Sequence, residues 1–348
     1  MERSVKRRQR FGLLAAALLT ATLAACGGGG AAPAGTLASG GWEAIVDAAG
    51  TEGSLLVYSS ATPAQIQRIT QAFGRAHPDI AVEIATLTSS EQVTRLQQER
   101  DAGLAQADIA WNAQYNWFTQ EQQAGHLADP RGPAAADNPP ALKLTDSSRL
   151  LYALPIPLQW NKNAVTTPLT GYQDLLRPEF AGSLGLADIT GGASLAGFYD
   201  WLQRTQGPDF LTRLAAQKPK FYIQPSESAQ AVASAETKAS GYGSLPASKA
   251  LVAQGAPIEL RLPEPAFSTT TYGAILDNAP HPNAAQVFFD WLQSTDGQKA
   301  IVGNGDVASP KDVDGGVAKI GSLTLYRGEL GKDDVARITA EFNKAFGR

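Results

Sequence analysis

Cysteine is almost absent from this sequence, Cys26 standing alone in 348 residues. Neither a disulfide nor a thiolate metal cluster is therefore available to the folded body. Histidine is nearly as scarce: His77 and His281 each precede a proline and His126 follows Gly125, turn-like settings that make poor general bases. No Gly-x-Ser-x-Gly elbow, no His-Glu-x-x-His and no Ser-x-x-Lys with its partner motifs occurs, so the common hydrolase signatures are missing. Charged residues make up only 18% of the chain, and the body has no grouped Lys and Arg, which argues against nucleic acid and against charge-driven membrane binding. No apolar run reaches the length needed to span a bilayer.

The first residues are more eventful. Arg3, Lys6, Arg7, Arg8 and Arg10 precede the apolar run Phe11 to Leu19, the pattern of a signal peptide over residues 1–25. Leu23-Ala24-Ala25-Cys26 resembles the lipobox of bacterial lipoproteins, in which the cysteine thiol accepts a diacylglyceryl group and becomes the first residue of the mature protein. Arg7-Arg8 leaves both general secretion and twin-arginine export open. Residues 26–41, with Gly27 to Gly30 and Ala31-Ala32-Pro33-Ala34-Gly35, read as a flexible tether. The expectation is an extracytoplasmic protein held to the membrane through lipidated Cys26.

Removing residues 1–25 leaves about 323 residues, and strips five basic and one acidic side chain from totals of 29 and 33, so the body carries about −8. That length exceeds what one hydrophobic core usually organises, and two lobes are expected. From residue 54 the chain alternates strand-like and helical stretches, an α/β signature. Ser54 to Tyr58 reads as a strand; Thr62-Pro63 caps and opens a helix with Ile66, Ile69 and Phe73 on its inner face. His77-Pro78-Asp79 ends that helix, and Ile80, Val82 and Ile84 alternate as a second strand. A helix follows Thr88-Ser89-Ser90, then a strand over Asp108 to Trp111. After a Pro-rich loop at 130–140 come strands near 150–154, 157–161 and 183–187, and helices opened by Ser194 and Ser226. A strand near Tyr272 to Leu276, a helix over Asn283 to Leu292 and a helix carrying Val335, Ile338, Phe342 and Phe346 complete the pattern. No internal repeat is apparent.

Several stretches then carry a resemblance in order: Leu56-Val57-Tyr58-Ser59-Ser60, Ala107-Asp108-Ile109-Ala110-Trp111, and Asp174 to Gly182. Pro246-Ala247-Ser248-Lys249-Ala250 continues it, as does Ala279-Pro280-His281-Pro282-Asn283-Ala284-Ala285 with Phe288, Trp291-Leu292 and Gly297-Gln298. Together they resemble the periplasmic-type (type II) binding proteins that include ferric-iron binders and members for phosphonates, thiamine and sugar phosphates. The resemblance runs from about Ser54 to the end. It implies two α/β lobes, each a mixed sheet flanked by helices, with hinge closure on a ligand in the cleft between them. By that analogy lobe one is 42–112 plus 263–310 and lobe two is 113–262 plus 311–348. It further implies a binding subunit of an ABC importer, expected to be a monomer with no cofactor, which hands a small molecule to permease subunits.

Ligands in open α/β sheets collect at strand carboxyl ends beside helix N-termini. Four loops place hydroxyl or glycine residues there: Ser59-Ser60 with Thr62; Thr88-Ser89-Ser90; Thr190-Gly191-Gly192-Ala193-Ser194; and Ser226 with Ser228. Helix capping alone also accounts for such residues. Trp111, Tyr115, Trp117 and Trp160, with Tyr242 and Tyr272 near the other crossing, offer an apolar wall or simply core. The iron-binding members place two adjacent tyrosines just before the helix that here begins near Ala247. This chain reads Gly243-Ser244-Leu245-Pro246 instead, with Tyr242 alone. A small organic or phosphorus-containing anion is therefore expected rather than ferric iron or an iron chelate, and no metal site is expected. A ligand-sensing lipoprotein shares the same features, and a secreted hydrolase remains the catalytic alternative.

Overall fold

Residues 34–303 and 305–348 are described by the computed structural model of the protein. The expected signal peptide, Cys26 and the start of the tether lie outside the described residues. The first half runs α1 (Trp42–Glu52), β1 (Ser54–Ser59), α2 (Pro63–Ala76), β2 (Ala81–Thr86), α3 (Ser89–Asp101), β3 (Ile109–Asn112), α4 (Tyr115–Ala124), β4 (Leu127–Ala128) and α5 (Pro133–Ala136). β1 pairs in parallel with both β2 and β3, the arrangement that helical crossovers impose. Both crossover helices start as the sequence directs. Thr62 and Gln65 form a reciprocal capping box at α2, and Thr88 and Glu91 form one at α3; a cap of this kind contributes about 1 kcal/mol.

The chain continues through β5 (Arg149–Pro155), β6 (Leu158–Asn161), β7 (Leu184–Ala187), α6 (Ala193–Gln206), α7 (Phe210–Ala216), β8 (Lys220–Tyr222), α8 (Pro225–Ala233), β9 (Ala239–Ser240), α9 (Leu245–Ala253) and β10 (Ile258–Arg261). It ends with β11 (Ala266–Leu276), α10 (Pro282–Gln293), α11 (Thr295–Val302), β12 (Leu323–Leu325) and α12 (Lys332–Phe346). Two of these helices begin differently from the sequence reading. Gly192, at φ 140°, is the N-cap of α6, and Gln224, boxed with Glu227, is the N-cap of α8. Ser194 and Ser226 lie inside their helices, because Pro225 fits the first helical position and draws the start of α8 one residue back.

Two sheets result. The first has the order β12-β11-β3-β1-β2, with β4 and β5 also paired to β11; the second has the order β10-β6-β9-β7-β8. β11 spans 11 residues, long enough to meet β12, β5, β3 and β4 in succession. Strands β4, β5 and β12 thus join the first sheet, although they fall in segments expected for lobe two. The chain passes between the two layers around residues 155–158, 261–266 and 325–332.

Each layer has its own core. On one face of the first sheet, Phe73 packs edge-on to Phe288 and Trp291 at centroid distances of 4.9 and 5.3 Å. The second sheet gathers Phe180, Phe198, Tyr199, Trp201, Phe210 and Phe342. Asp108 ties the first layer together from full burial: its carboxylate accepts from the Leu56 amide at 2.7 Å and the His281 amide at 2.6 Å. Burial pushes its pKa up, while those bonds pull it down. Three stretches distant in sequence, Leu56, Asp108 and His281, meet at this one carboxylate.

Candidate functional site

Between the two layers lies a cavity of about 170 Å³, lined by Leu154, Pro155 and Ile156, by Gly191, Ser194 and Leu195, by Pro225, by Tyr242 to Pro246, and by Thr269. The first layer contributes the end of β5 and Thr269 of β11. The second contributes the first turns of α6, α8 and α9. Three helix N-termini meet at one cavity and place three positive dipole ends around the same space; Pro225 and Pro246 carry no N–H and the Ala247 amide is taken by Ser244 Oγ, which leaves the opening turn of α6 as the main source of free amides. No charged side chain is in the lining; the nearest carboxylate at these helix starts is Glu227, which accepts from the Gln224 amide at 3.2 Å outside it.

Gln159 of β6, fully buried, fixes this arrangement from beneath. Its Nε2 donates to Ser228 Oγ at 3.0 Å and to the Tyr242 carbonyl at 3.3 Å, and its Oε1 accepts from Ser248 Oγ at 2.7 Å. One amide thereby links α8, the loop after β9, and α9. Ser228 Oγ and Ser240 Oγ sit 2.8 Å apart, and Ser240 Oγ accepts from the Tyr242 amide at 2.9 Å. Ser244 then caps α9 by accepting from the Ala247 amide at 3.3 Å. Gly243 makes the close approach that lets this loop reach the cavity. Its amide donates to the Pro157 carbonyl at 3.1 Å, and a Cβ there would meet that oxygen at 2.5 Å.

Asp188 holds the second loop. Its Oδ1 accepts from the Thr190 amide at 3.0 Å and hydroxyl at 2.7 Å, and Arg348 lies 2.8 Å from Oδ2. Burial pushes its pKa up, but the two Thr190 bonds and Arg348 outweigh it and hold the carboxyl below its ordinary value. Tyr242, on the cavity wall, has its hydroxyl pushed up to about 12, by burial first and by Glu227 second. It is a neutral donor at physiological pH, and its hydroxyl donates to the Ile223 carbonyl at 3.4 Å.

The residues read from sequence fall into three groups. Gly191, Ser194 and Tyr242 come together in the cavity, with Gly192 and Ala193 in the same turn. Ser59, Ser60, Ser89 and Ser90 gather at the carboxyl ends of β1 and β3, outside that lining, where their hydroxyls brace the backbone: Ser59 Oγ accepts from Ala61, Ser60 Oγ donates to the Trp111 carbonyl and Ser89 Oγ accepts from Ala113. Ser90 Oγ accepts from Gln114 Nε2, Thr62 caps α2 and Ser226 is exposed on α8.

The third group is aromatic. Trp111, Trp117, Trp160 and Tyr272 are core residues, at 0%, 7%, 3% and 0% exposure, rather than cleft walls. The strands are buried on both faces and Trp117 lies on the inner face of α4, which no single-sequence pattern reveals. Tyr115 sits between Tyr272 and Tyr326, edge-on at 6.2 and 5.4 Å, and donates to the Thr270 carbonyl at 3.1 Å. Burial pushes its hydroxyl up to about 12. Ser244 and Thr269 are the polar lining residues that the sequence reading left out. Ser244 carried a signal, a Ser two residues before a Pro at a helix start. Thr269 carried none, being one of three consecutive threonines in a strand.

Among the described residues, no group of three or more His, Cys, Asp or Glu side chains is placed to hold a metal ion, and no helix is long and apolar enough to cross a membrane. Residues 55–305 match the family model described as bacterial extracellular solute-binding protein. No curated protein matches the sequence. Among solved structures, the substrate-binding protein of an ABC transporter from Agrobacterium tumefaciens is similar at 18% identity, over 84% of this chain and 94% of that one, with a TM-score of 0.66. Iron-bound HitA from Pseudomonas aeruginosa is similar at 18% identity, covering 83% and 99%, with a TM-score of 0.64. AfuA from Actinobacillus pleuropneumoniae, with fructose-6-phosphate bound, is similar at 18% identity, covering 85% and 99%, with a TM-score of 0.60.

Proposed function

Given that the chain belongs to the bacterial extracellular solute-binding protein family, we propose that it captures a small organic or phosphorus-containing anion and delivers it to an ABC permease. Lipidated Cys26 would keep it at the membrane surface outside the cytoplasm, and a Cys26→Ser variant recovered from the soluble rather than the membrane fraction tests that anchor. Capture follows from closing two lobes on the ligand, divided near residues 155–158, 261–266 and 325–332, with no covalent chemistry. Lobe one would then hold β1–β5, β11 and β12, and lobe two β6–β10.

The observation that carries the reading is the uncharged cavity at which α6, α8 and α9 all begin. An anion placed there would meet the opening turn of α6 and the Ser194 and Ser244 hydroxyls beside the neutral Tyr242, while Leu154, Ile156, Leu195 and Leu245 suit an organic body. Ferric iron fits this lining poorly. A hard trivalent cation wants several anionic oxygen donors, and the lining offers one tyrosine, kept neutral by burial, and no carboxylate.

A thermal-shift screen tests the proposal, since a ligand that binds only the folded state at 100 times its Kd stabilises it by about 2.7 kcal/mol. Phosphonates, sugar phosphates, carboxylates, thiamine and ferric citrate make up the panel. The expected result is a rise with one organic anion that is lost in a Ser194→Tyr variant, which fills the cavity. A rise with iron alone overturns the ligand class.

A further inference from the structure

Lys249 lies one turn into α9, the helix whose first residues line the cavity. Its Nζ donates to the Gly305 carbonyl at 2.7 Å and lies 3.2 Å from Asp306 Oδ1. Gly305 and Asp306 belong to the other layer: they follow α11, and two residues on Ala308 bridges to Ala153 of β5. This ion pair joins α9, beside the second sheet, to the turn after α11, beside the first. Nor does the receiving turn owe its shape to Lys249. Gly305 has φ +76°, which favours glycine, and its amide donates to the Val302 carbonyl at 3.2 Å, so the turn is also tied to the first layer itself.

We propose that Lys249, with Asp306 and the Gly305 carbonyl, is a latch that biases the empty protein toward the closed arrangement of its two lobes. The idea rests on the hinge-closure reading above. A lobe rotation conserves the contacts within each layer, so a contact between layers that is remote in sequence from all three crossings is one that opening must break. The pair is half-exposed, with side chains 40% and 28% accessible, so the bias is modest: roughly a two- to fivefold change in the closed-to-open ratio. That size suits the role, since a stronger latch would hinder ligand entry and release. The latch would raise apparent affinity by at most the same factor without touching the ligand.

The test needs no ligand. Spin labels at Gln67→Cys on α2 and Gln254→Cys after α9, both exposed, report the separation between layers in the full chain carrying Cys26→Ser. Lys249→Met and Asp306→Ala should each move the distance distribution outward, and 1 M salt should do the same to the parent, because screening then acts within about 3 Å. The charge-swapped pair Lys249→Asp with Asp306→Lys should recover the short distance in part. Distributions for both single variants that superimpose on the parent overturn the latch, as does a swapped pair as open as the singles. Failure of the ligand screen leaves this measurement unaffected, so the two readings fall separately.

Discussion

The sharpest consequence of the site geometry concerns Gly243→Ala. The added methyl would stand 2.5 Å from the Pro157 carbonyl oxygen and 2.8 Å from the Pro157 ring, well inside contact distance. Neither neighbour is the far end of a flexible side chain, because Pro157 lies where the chain crosses between layers. The loop must therefore lift, stretching the Gly243 amide bond to that carbonyl from 3.1 Å. Overpacking costs about 1–3 kcal/mol and the weakened hydrogen bond about 0.5–1.5 kcal/mol. The sum is roughly 2–4 kcal/mol, a fall in Tm of a few degrees for a chain of this length. Denaturant titration measures the loss, with Gly74→Ala as control. Gly74 is exposed within α2 and a Cβ there meets nothing within 4 Å, so the control should gain up to about 1 kcal/mol from helix propensity. Ligand affinity should fall further in Gly243→Ala, since Ser244 and Leu245 move with the loop. A variant as stable as the parent would refute the close approach, and with it the account of how α9 is aimed at the cavity.

Replacing Gln159 by Leu should cost about 2–4 kcal/mol in denaturant titration, because Ser228, Ser248 and the Tyr242 carbonyl lose a buried partner together; a loss under 1 kcal/mol would show that the amide does not clamp the site. Asp188→Asn should cost about 1 kcal/mol at pH 7, discounted because Arg348 is 40% exposed. The folded carboxyl lies below its unfolded value, so its contribution is present above the ordinary carboxylate range and is lost as pH falls through the folded pKa. The gap between parent and variant should thus close below about pH 4, and a gap that persists there would contradict the assignment.

Capping, periodicity and turn chemistry act over a few residues, and these features were legible in the sequence. Thr62 with Pro63, the Ile66-Ile69-Phe73 stripe, the His77-Pro78 stop and the alternation after Ile80 all appear where the residues call for them. So did the position of the loop at Gly243 to Pro246, marked by the missing tyrosine pair. Which hydroxyls face a shared space was not legible. Ser59, Ser89 and Ser194 look alike in sequence, each small and polar near the start of a helix, yet only Ser194 lies on the cavity wall.

The aromatic residues teach the same lesson in reverse. Trp111 and Trp160 sit in strands, and a strand's side chain is core or surface according to what packs on its face. That is settled by α10 and α11 over one sheet and α6 to α9 around the other, elements far away in the chain. Likewise β5 and β12 joined the first sheet because β11 is long enough to bind both, a fact about partners rather than about either strand. The amino-acid sequence alone determined the class of fold, the helix starts set by local caps and the scarcity of groups for catalysis or metal binding. The tertiary structure decided the cavity, its uncharged lining and the contact of Lys249 with the other layer, because each depends on surfaces that meet only after the two layers are packed.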